Sequence, residues 1–339
     1  MLTTIAHAIE DAWTGTTGAL YTNLVMPAMY ELGLMAFEDD ILAWLDFAVL
    51  GAVQIALIWL VCRPLEAWKP VERWDDRREV VTDILYTVLT RLGVLPLLVF
   101  LVFSPVQAWI QGAFADADMT APTLEGWVPW LRDHPVVTFA LYVVILDFGD
   151  YWRHRLQHSI PWWWALHSVH HAQEKMTFWT DDRNHLIDDL MAGLWFGVLA
   201  LAIGVPPGQF PLIILILRFV EALSHANVRL SFGAVGERLV VSPRFHRLHH
   251  GPLSAGQSGR NFAVLLPVWD WIFGTADFDR AHFPTTGDPE AGRVLSHGSW
   301  WAQQKEGARR MGHALWRRSD RAASPAPAGE HPDRAPRAG

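Results

Sequence analysis

Residues 150–171 read DYWRHRLQHSIPWWWALHSVHH, and residues 242–251 read SPRFHRLHHG. The first stretch holds His154 and His158 as an H-x3-H pair, then His167, His170 and His171 as H-x2-H-H. The second repeats H-x2-H-H at His246, His249 and His250. Residues three or four apart share one face of a helix, so each group can aim two imidazoles at one point. Nothing in the periodicity suggests a sheet, and the chain reads as all-α. Two further histidines, His185 and His225, lie between the second and third groups, which puts ten of the sixteen histidines between residues 154 and 250. Ten rings are too many for one ion and suit a pair. Nitrogen-rich, cysteine-free ligation fits iron, zinc, copper or nickel rather than calcium or magnesium. His7, His134, His282, His297, His313 and His331 stand alone and read as incidental.

Composition places these histidines beside a membrane. Half of the chain is apolar (51%), only 18% is charged, and there are nineteen tryptophans. Soluble domains average roughly 25% charge, and indoles favour the lipid–water interface. A net charge of −8 gives no electrostatic reason to expect nucleic-acid binding. The single cysteine, Cys62, excludes an intramolecular disulfide framework and a thiolate-rich metal cage. The first thirty residues lack the basic start and apolar core of a cleavable signal peptide, so insertion is expected to begin with the first spanning helix.

Four to five membrane segments are expected: Ile41–Cys62, Val80–Phe103, a shorter Pro135–Gly149, and two short ones, Leu190–Val205 and Phe210–Leu223, joined by a Pro206-Pro207-Gly208 turn. The organisation follows: 1–36 an interfacial or marginal segment, 37–134 a transmembrane region, 135–276 the histidine-box domain, 277–339 an extension. The chain beyond about Glu306 is rich in Arg, Ala and Pro, cannot fold alone, and is expected to be disordered at least from residue 318. Arg63, Lys69, Arg73, Arg77 and Arg78 crowd one loop, whereas Ser104–His134 holds only Arg132. The positive-inside rule makes the first loop cytoplasmic, and every histidine of the set then falls on the cytoplasmic side.

These runs, with NFAVLLPVWDWIFGT at 261–275, resemble the fatty acid hydroxylase superfamily, which includes sterol desaturases and sterol C4-methyl oxidases. The resemblance covers about residues 141–276. It implies a helical membrane anchor beneath a cytosolic helical cap, with two irons between them and O2 as co-substrate; a recombinant sample could hold zinc instead. It carries His154, His158, His167, His170, His171, His246, His249 and His250 as ligands, and matches His185 and His225 to additional ligands. Where relatives often show a proline after the histidine of the RNHL run, this chain has Leu186. The implied reaction is hydroxylation or desaturation of a lipid of sterol, hopanoid, carotenoid or fatty acyl type.

Metal-bound imidazoles usually donate their other N–H to a carboxylate or carbonyl. Asp147, Asp150, Asp188, Asp189 and Glu221 lie near the boxes and are the candidate partners. Trp269, Asp270 and Gly274 read as elements closing the cap, and Trp162-Trp163-Trp164 as an interfacial anchor or entrance lining. No haem-binding His-Pro-Gly-Gly run, Rossmann glycine fingerprint or cysteine cluster is present, so an external ferredoxin, cytochrome or reductase is implied as electron donor. Arg153, Arg155, Arg244 and Arg247 are candidates for its docking surface or for lipid headgroups. The alternative is a histidine-rich membrane metal-binding or transport protein, which would place ligands within spans near the midplane. A zinc protease would need H-E-x2-H, and no box histidine is followed by Glu.

Overall fold

A computed structural model of the chain describes residues 2–74, 78–94, 122–205, 210–252, 259–279 and 282–323, with isolated positions between 94 and 122. Every regular element among the described residues is helical. In chain order the α-helices are α1 (Leu2–Leu20), α2 (Met26–Leu32), α3 (Glu38–Trp68), α4 (Arg78–Arg91), α5 (Leu124–Trp127), α6 (Pro135–Ser159), α7 (Pro161–His171), α8 (Leu186–Ile203), α9 (Phe210–His225), α10 (Gly233–Leu239), α11 (Pro243–His249), α12 (Val268–Ile272), α13 (Gly292–His297) and α14 (Trp300–Ala323).

Among the described residues, three stretches are long and apolar enough to cross a membrane: Met35–Trp68, Pro135–Ser159 and Leu186–Ile203. Helix α3 opens with Glu38, Asp39 and Asp40, acids that suit the positive end of a helix dipole. At 1.5 Å per residue its 31 residues reach about 46 Å, more than the roughly 30 Å hydrocarbon core. Helix α9 is apolar but has 16 residues. The Pro206-Pro207-Gly208 turn lies outside the described residues, as does most of Val80–Phe103 beyond Val94.

The described part of Val80–Phe103, an expected membrane segment, buries both of its charges. Asp83 pairs with Arg183 at 2.7 Å, with both side chains fully buried. Arg91 pairs with Asp181 at 2.7 Å and Asp182 at 2.6 Å. Charges that are costly in lipid are turned inward here and bind α4 to the segment between α7 and α8.

Helix α6 carries apolar residues through its first half and the first histidine pair through its second. Ile160 then leaves the helix in an extended conformation, and Pro161, at the first turn of α7, pre-sets the next helix. This reversal folds α7 back against α6. Ser242 caps α11 by accepting the Phe245 N–H, with Pro243 in its first turn. A core of Leu131, Tyr142, Leu146, Ile203, Ile213 and Leu217 joins α6, α8 and α9, and a second, around Ile58, Cys62, Phe178 and Ala222, joins α3 to α9.

The C-terminal extension, expected to be disordered at least from residue 318, forms a helix in its described part. Helix α14 runs to Ala323 and packs along α7. Its segment does not have to fold alone, because α7 supplies the surface it covers. Gly307 sits where any side chain would strike His185, whose Cδ2 would lie 2.5 Å from an added Cβ.

Candidate metal centre

Nine of the ten expected histidines converge, and they divide into two groups. His154, His158, His167, His171 and His249 form one; His170, His225, His246 and His250 form the other. Within each, the ligand nitrogens lie within 4.8 Å of one another, and both groups are made of histidine alone. Each H-x2-H-H box is split. In α7 the first and last members, His167 and His171, join the five-ring group, while His170 turns to the other. In α11 the roles reverse: His246 and His250 join the four-ring group and His249 crosses to the five.

Hydrogen bonds behind the rings fix which nitrogen faces inward. His154 Nδ1 lies 2.7 Å from the Phe262 carbonyl, His249 Nδ1 2.7 Å from the Arg260 carbonyl, and His225 Nδ1 2.8 Å from the Glu221 carbonyl. A carbonyl only accepts, so each of these Nδ1 atoms carries the proton and each Nε2 presents a lone pair. These lone pairs face other imidazoles. Nε2 of His225 lies 2.9 Å from that of His246 and 3.1 Å from that of His170. Nε2 of His249 lies 3.1 Å from that of His171. The buried Nε2 atoms of His154, His158 and His167 have no partner at all. Buried, inward-facing lone pairs are costly unless a cation lies between them. Metal–nitrogen bonds of about 2.0–2.1 Å place neighbouring ligand atoms roughly 3 Å apart, so the residues present fit two such ions. Burial holds His167, His170, His171, His246 and His250 well below the ordinary imidazole pKa, and His249 at about 3. The neutral form that burial selects is the form that binds metal.

His185 stands apart. Its Nδ1 accepts the Ile187 N–H at 3.1 Å, capping α8, and its Nε2 lies 2.8 Å from the Gln304 carbonyl in α14. Both nitrogens are committed to backbone, so this ring joins neither group, contrary to the expectation that it completes a metal shell.

The candidate carboxylates also divide. Asp188 accepts from Gln157 and from the Trp163 indole at 2.7 Å, and lies 3.5 Å from His167 Nδ1. Asp147 instead accepts the N–H groups of Leu265 and Leu266 and the Trp269 indole. Asp150 pairs with Arg153, and Glu221 with Arg218; it is the Glu221 carbonyl, not its carboxylate, that meets His225. Asp189, like Asp150 and Glu221, lines the adjoining cavity. Sequence reasoning missed Asp181, which lies 3.6 Å from His225 Nδ1. It also read Asp270 only as a cap element, whereas Asp270 receives the N–H groups of Phe262 and Ala263 and the Thr275 hydroxyl. That grip sets the Phe262 carbonyl behind His154. No spacing signals either role.

Two expectations about surface residues change. Arg244 and Arg247 are buried, bound to Glu237 and Glu72 respectively, and cannot dock a partner. Of the tryptophan run, Trp163 is buried on Asp188 and Trp164 lies against the histidines, so only Trp162 is left with the expected interfacial position.

A cavity of about 120 Å³ adjoins the histidines. His154 and His167 of the larger group touch it, as do His170, His225 and His246 of the smaller. Its apolar lining comes from Leu146, Ala192, Phe196, Ile214 and Leu217 of α6, α8 and α9. Asp150, Asp189 and Glu221, with Arg153 and Arg218, line it as well.

Comparison with known proteins agrees with this picture. The model of the fatty acid hydroxylase family matches residues 139–275. The chain is 29% identical over 267 residues to the ornithine lipid hydroxylase OlsE of Rhizobium tropici, covering 76% of each protein. It is 28% identical over 223 residues to the alkylglycerol monooxygenase of Homo sapiens, covering 66% of this chain and 45% of that one. A fatty acid hydroxylase, vlmA of a Lecanicillium species, is 27% identical over 187 residues, about half of each chain. No solved structure matches.

Proposed function

The chain belongs to the fatty acid hydroxylase superfamily, and from that premise we propose that it is a membrane-bound di-iron oxygenase that hydroxylates a C–H bond of a polar lipid. The observation that carries this reading is the convergence of nine imidazoles into two groups beside a cavity walled by apolar helices. A transport relay would string its ligands along a path. These converge on two points.

Iron held here would supply the redox chemistry that side chains lack, sharing between two ions the reduction of O2 and the cleavage of the C–H bond. The overall balance takes the lipid, O2, two electrons and two protons to the alcohol and water. His154, His158, His167, His171 and His249 would hold one ion; His170, His225, His246 and His250 the other. The carbonyls of Phe262, Arg260 and Glu221 fix three of these rings in the Nδ1–H tautomer and hold their planes. Leu146, Phe196 and Leu217 exclude water from one side of the cavity and receive an apolar chain. Asp150, Asp189 and Glu221, with Arg153 and Arg218, suit a headgroup bearing both charges better than a sterol ring, in keeping with the amino-acid lipid in the name of the bacterial relative. The basic loop after α3 argues that the histidines lie on the cytoplasmic side, where an external donor supplies the electrons.

The test is direct. Iron-loaded protein, reductant, isotopically labelled O2 and an ornithine-containing lipid are combined, and the lipid is weighed by mass spectrometry. A product carrying one labelled oxygen atom is expected. Loss of two hydrogens instead would make the protein a desaturase, and an unchanged lipid at full iron loading would overturn this substrate class.

A further inference from the structure

Helix α12 turns two large apolar side chains outward: Trp271 is 72% exposed and Ile272 57%. Between Val264 and Thr275 the only ionisable residue is Asp270, and it is fully buried. The side chains that α12 presents outward are therefore uncharged. Its packing partners set its height along α6. Trp269 stacks at an angle on Phe148, ring centroids 4.9 Å apart, and its indole donates to Asp147 at 2.7 Å. Phe273, the residue after α12, meets Trp152 at 5.1 Å and Tyr151 at 5.4 Å. Helix α6 is long and apolar enough to span a bilayer. Residues 147–152 are where its apolar run gives way to Arg153, His154 and Arg155. Phe148 is itself exposed, and the Arg155 guanidinium lies 5.3 Å from the Trp152 ring, further along the same helix. Aromatic rings followed by a cation are the order expected at a lipid–water boundary.

We propose that α12 is an interfacial membrane contact, with Trp271 and Ile272 inserted among the lipids of the leaflet that α6 leaves on its way to the histidines. This inference rests on the reading of α6 as a membrane span. The patch is continuous with Phe148 of that span, and exposed apolar surface of this kind marks an interaction site. Continuity with a lipid-facing helix makes lipid its occupant rather than a second copy of the chain. The same short helix carries Asp270, which holds the N–H groups of Phe262 and Ala263 and so sets the Phe262 carbonyl behind His154. One element thus touches lipid with two side chains and steadies a ring of the five-ring group with a third. That link fixes the height of the metal centre relative to the bilayer surface.

The experiment places the full-length protein in phosphatidylcholine–phosphatidylglycerol nanodiscs, with an environment-sensitive fluorophore on a single cysteine in a Cys62→Ser background. The label is carried by Trp271→Cys or Ile272→Cys, and in two controls by Leu141→Cys, in the span, or Arg309→Cys, whose native side chain is exposed on α14. Labels at 271 and 272 are expected to be quenched by doxyl groups on the acyl chains nearly as strongly as the label at 141. Aqueous iodide should quench them several-fold less than the label at 309. Adding Ile272→Glu should raise iodide quenching of the label at 271 several-fold, because a charge draws α12 out of the lipid. Iodide quenching at 271 and 272 equal to that at 309 would overturn the proposal. Protection from both quenchers would also overturn it, since protein, such as a second copy of the chain, would then cover the patch. A label at 141 that iodide quenches freely would instead remove the membrane span itself, and the contact with it.

Discussion

Helices α7 and α11 carry the same i, i+3, i+4 histidine spacing and use it in opposite senses. In α7 the i and i+4 rings serve the five-ring group and the i+3 ring the four-ring group; in α11 the assignment is reversed. Four residues along a helix return to nearly the same face, while the third falls to one side. An H-x2-H-H box is therefore a bridge between two sites rather than a clamp on one. What makes the sites unequal comes from outside the pair: α6 adds two rings to one group, and α9 adds one to the other. Their supports differ as well. The five-ring group leans on the carbonyls of Arg260 and Phe262, the four-ring group on the Glu221 carbonyl and the nearby Asp181 carboxylate.

The comparison breaks most visibly if the bridge is cut on one helix. His170→Ala and His167→Ala remove neighbouring rings of α7 that serve different groups. Each should abolish lipid oxidation and leave about one metal ion of two, because a site missing a ligand loses most of its affinity. Elemental analysis of the membrane-bound protein checks this, and full metal with full turnover in His170→Ala would disprove the grouping. The next effect is Asp270→Ala, which strands the buried N–H groups of Phe262 and Ala263 at a cost of about 3 kcal/mol. It should lower the melting temperature and weaken the ion of the five-ring group alone, because His154 loses its fixed carbonyl. Asp181→Asn is milder and opposite in address. It keeps the shape, removes the charge behind His225, and should weaken the ion of the four-ring group by roughly 10- to 100-fold, as outer-shell changes do. Two variants that weakened the same ion would erase the distinction.

The boxes were legible in the sequence because ligand spacing follows helix geometry, and that geometry needs no tertiary information. The all-helical fold was legible for the same reason, and so were the apolar helices α3, α6 and α8. What was hidden depends on contacts between distant segments. Arg91 reads as a charge in a span until Asp181 and Asp182 are seen beside it, about ninety positions along the chain. Asp181 and Asp270 act on rings in other helices, and neither follows a helical spacing from its target. Helix α14 reads as a tail because its partner, α7, is more than a hundred residues away.

His185 is the sharpest of these cases, since resemblance and structure give it different work. The N–H of the following residue, Leu186, donates to Gln304 Oε1 at 2.8 Å, and His185 Nε2 meets the Gln304 carbonyl. A proline after the histidine, as the family often has, offers no N–H and could not make the first of these bonds. Leu186, which keeps its N–H, is what permits this bond to α14, and Gly307 lets the helix approach closely enough to close it. His185→Ala should keep both metal ions and cost about 1 kcal/mol, the usual price of a helix cap, read as a small fall in melting temperature. Leu186→Pro should remove the Gln304 side-chain bond and loosen α14 while sparing the α8 cap at Ile187. Loss of a metal ion from His185→Ala, with α14 still protected from proteolysis, would return this ring to the ligand set and undo the latch.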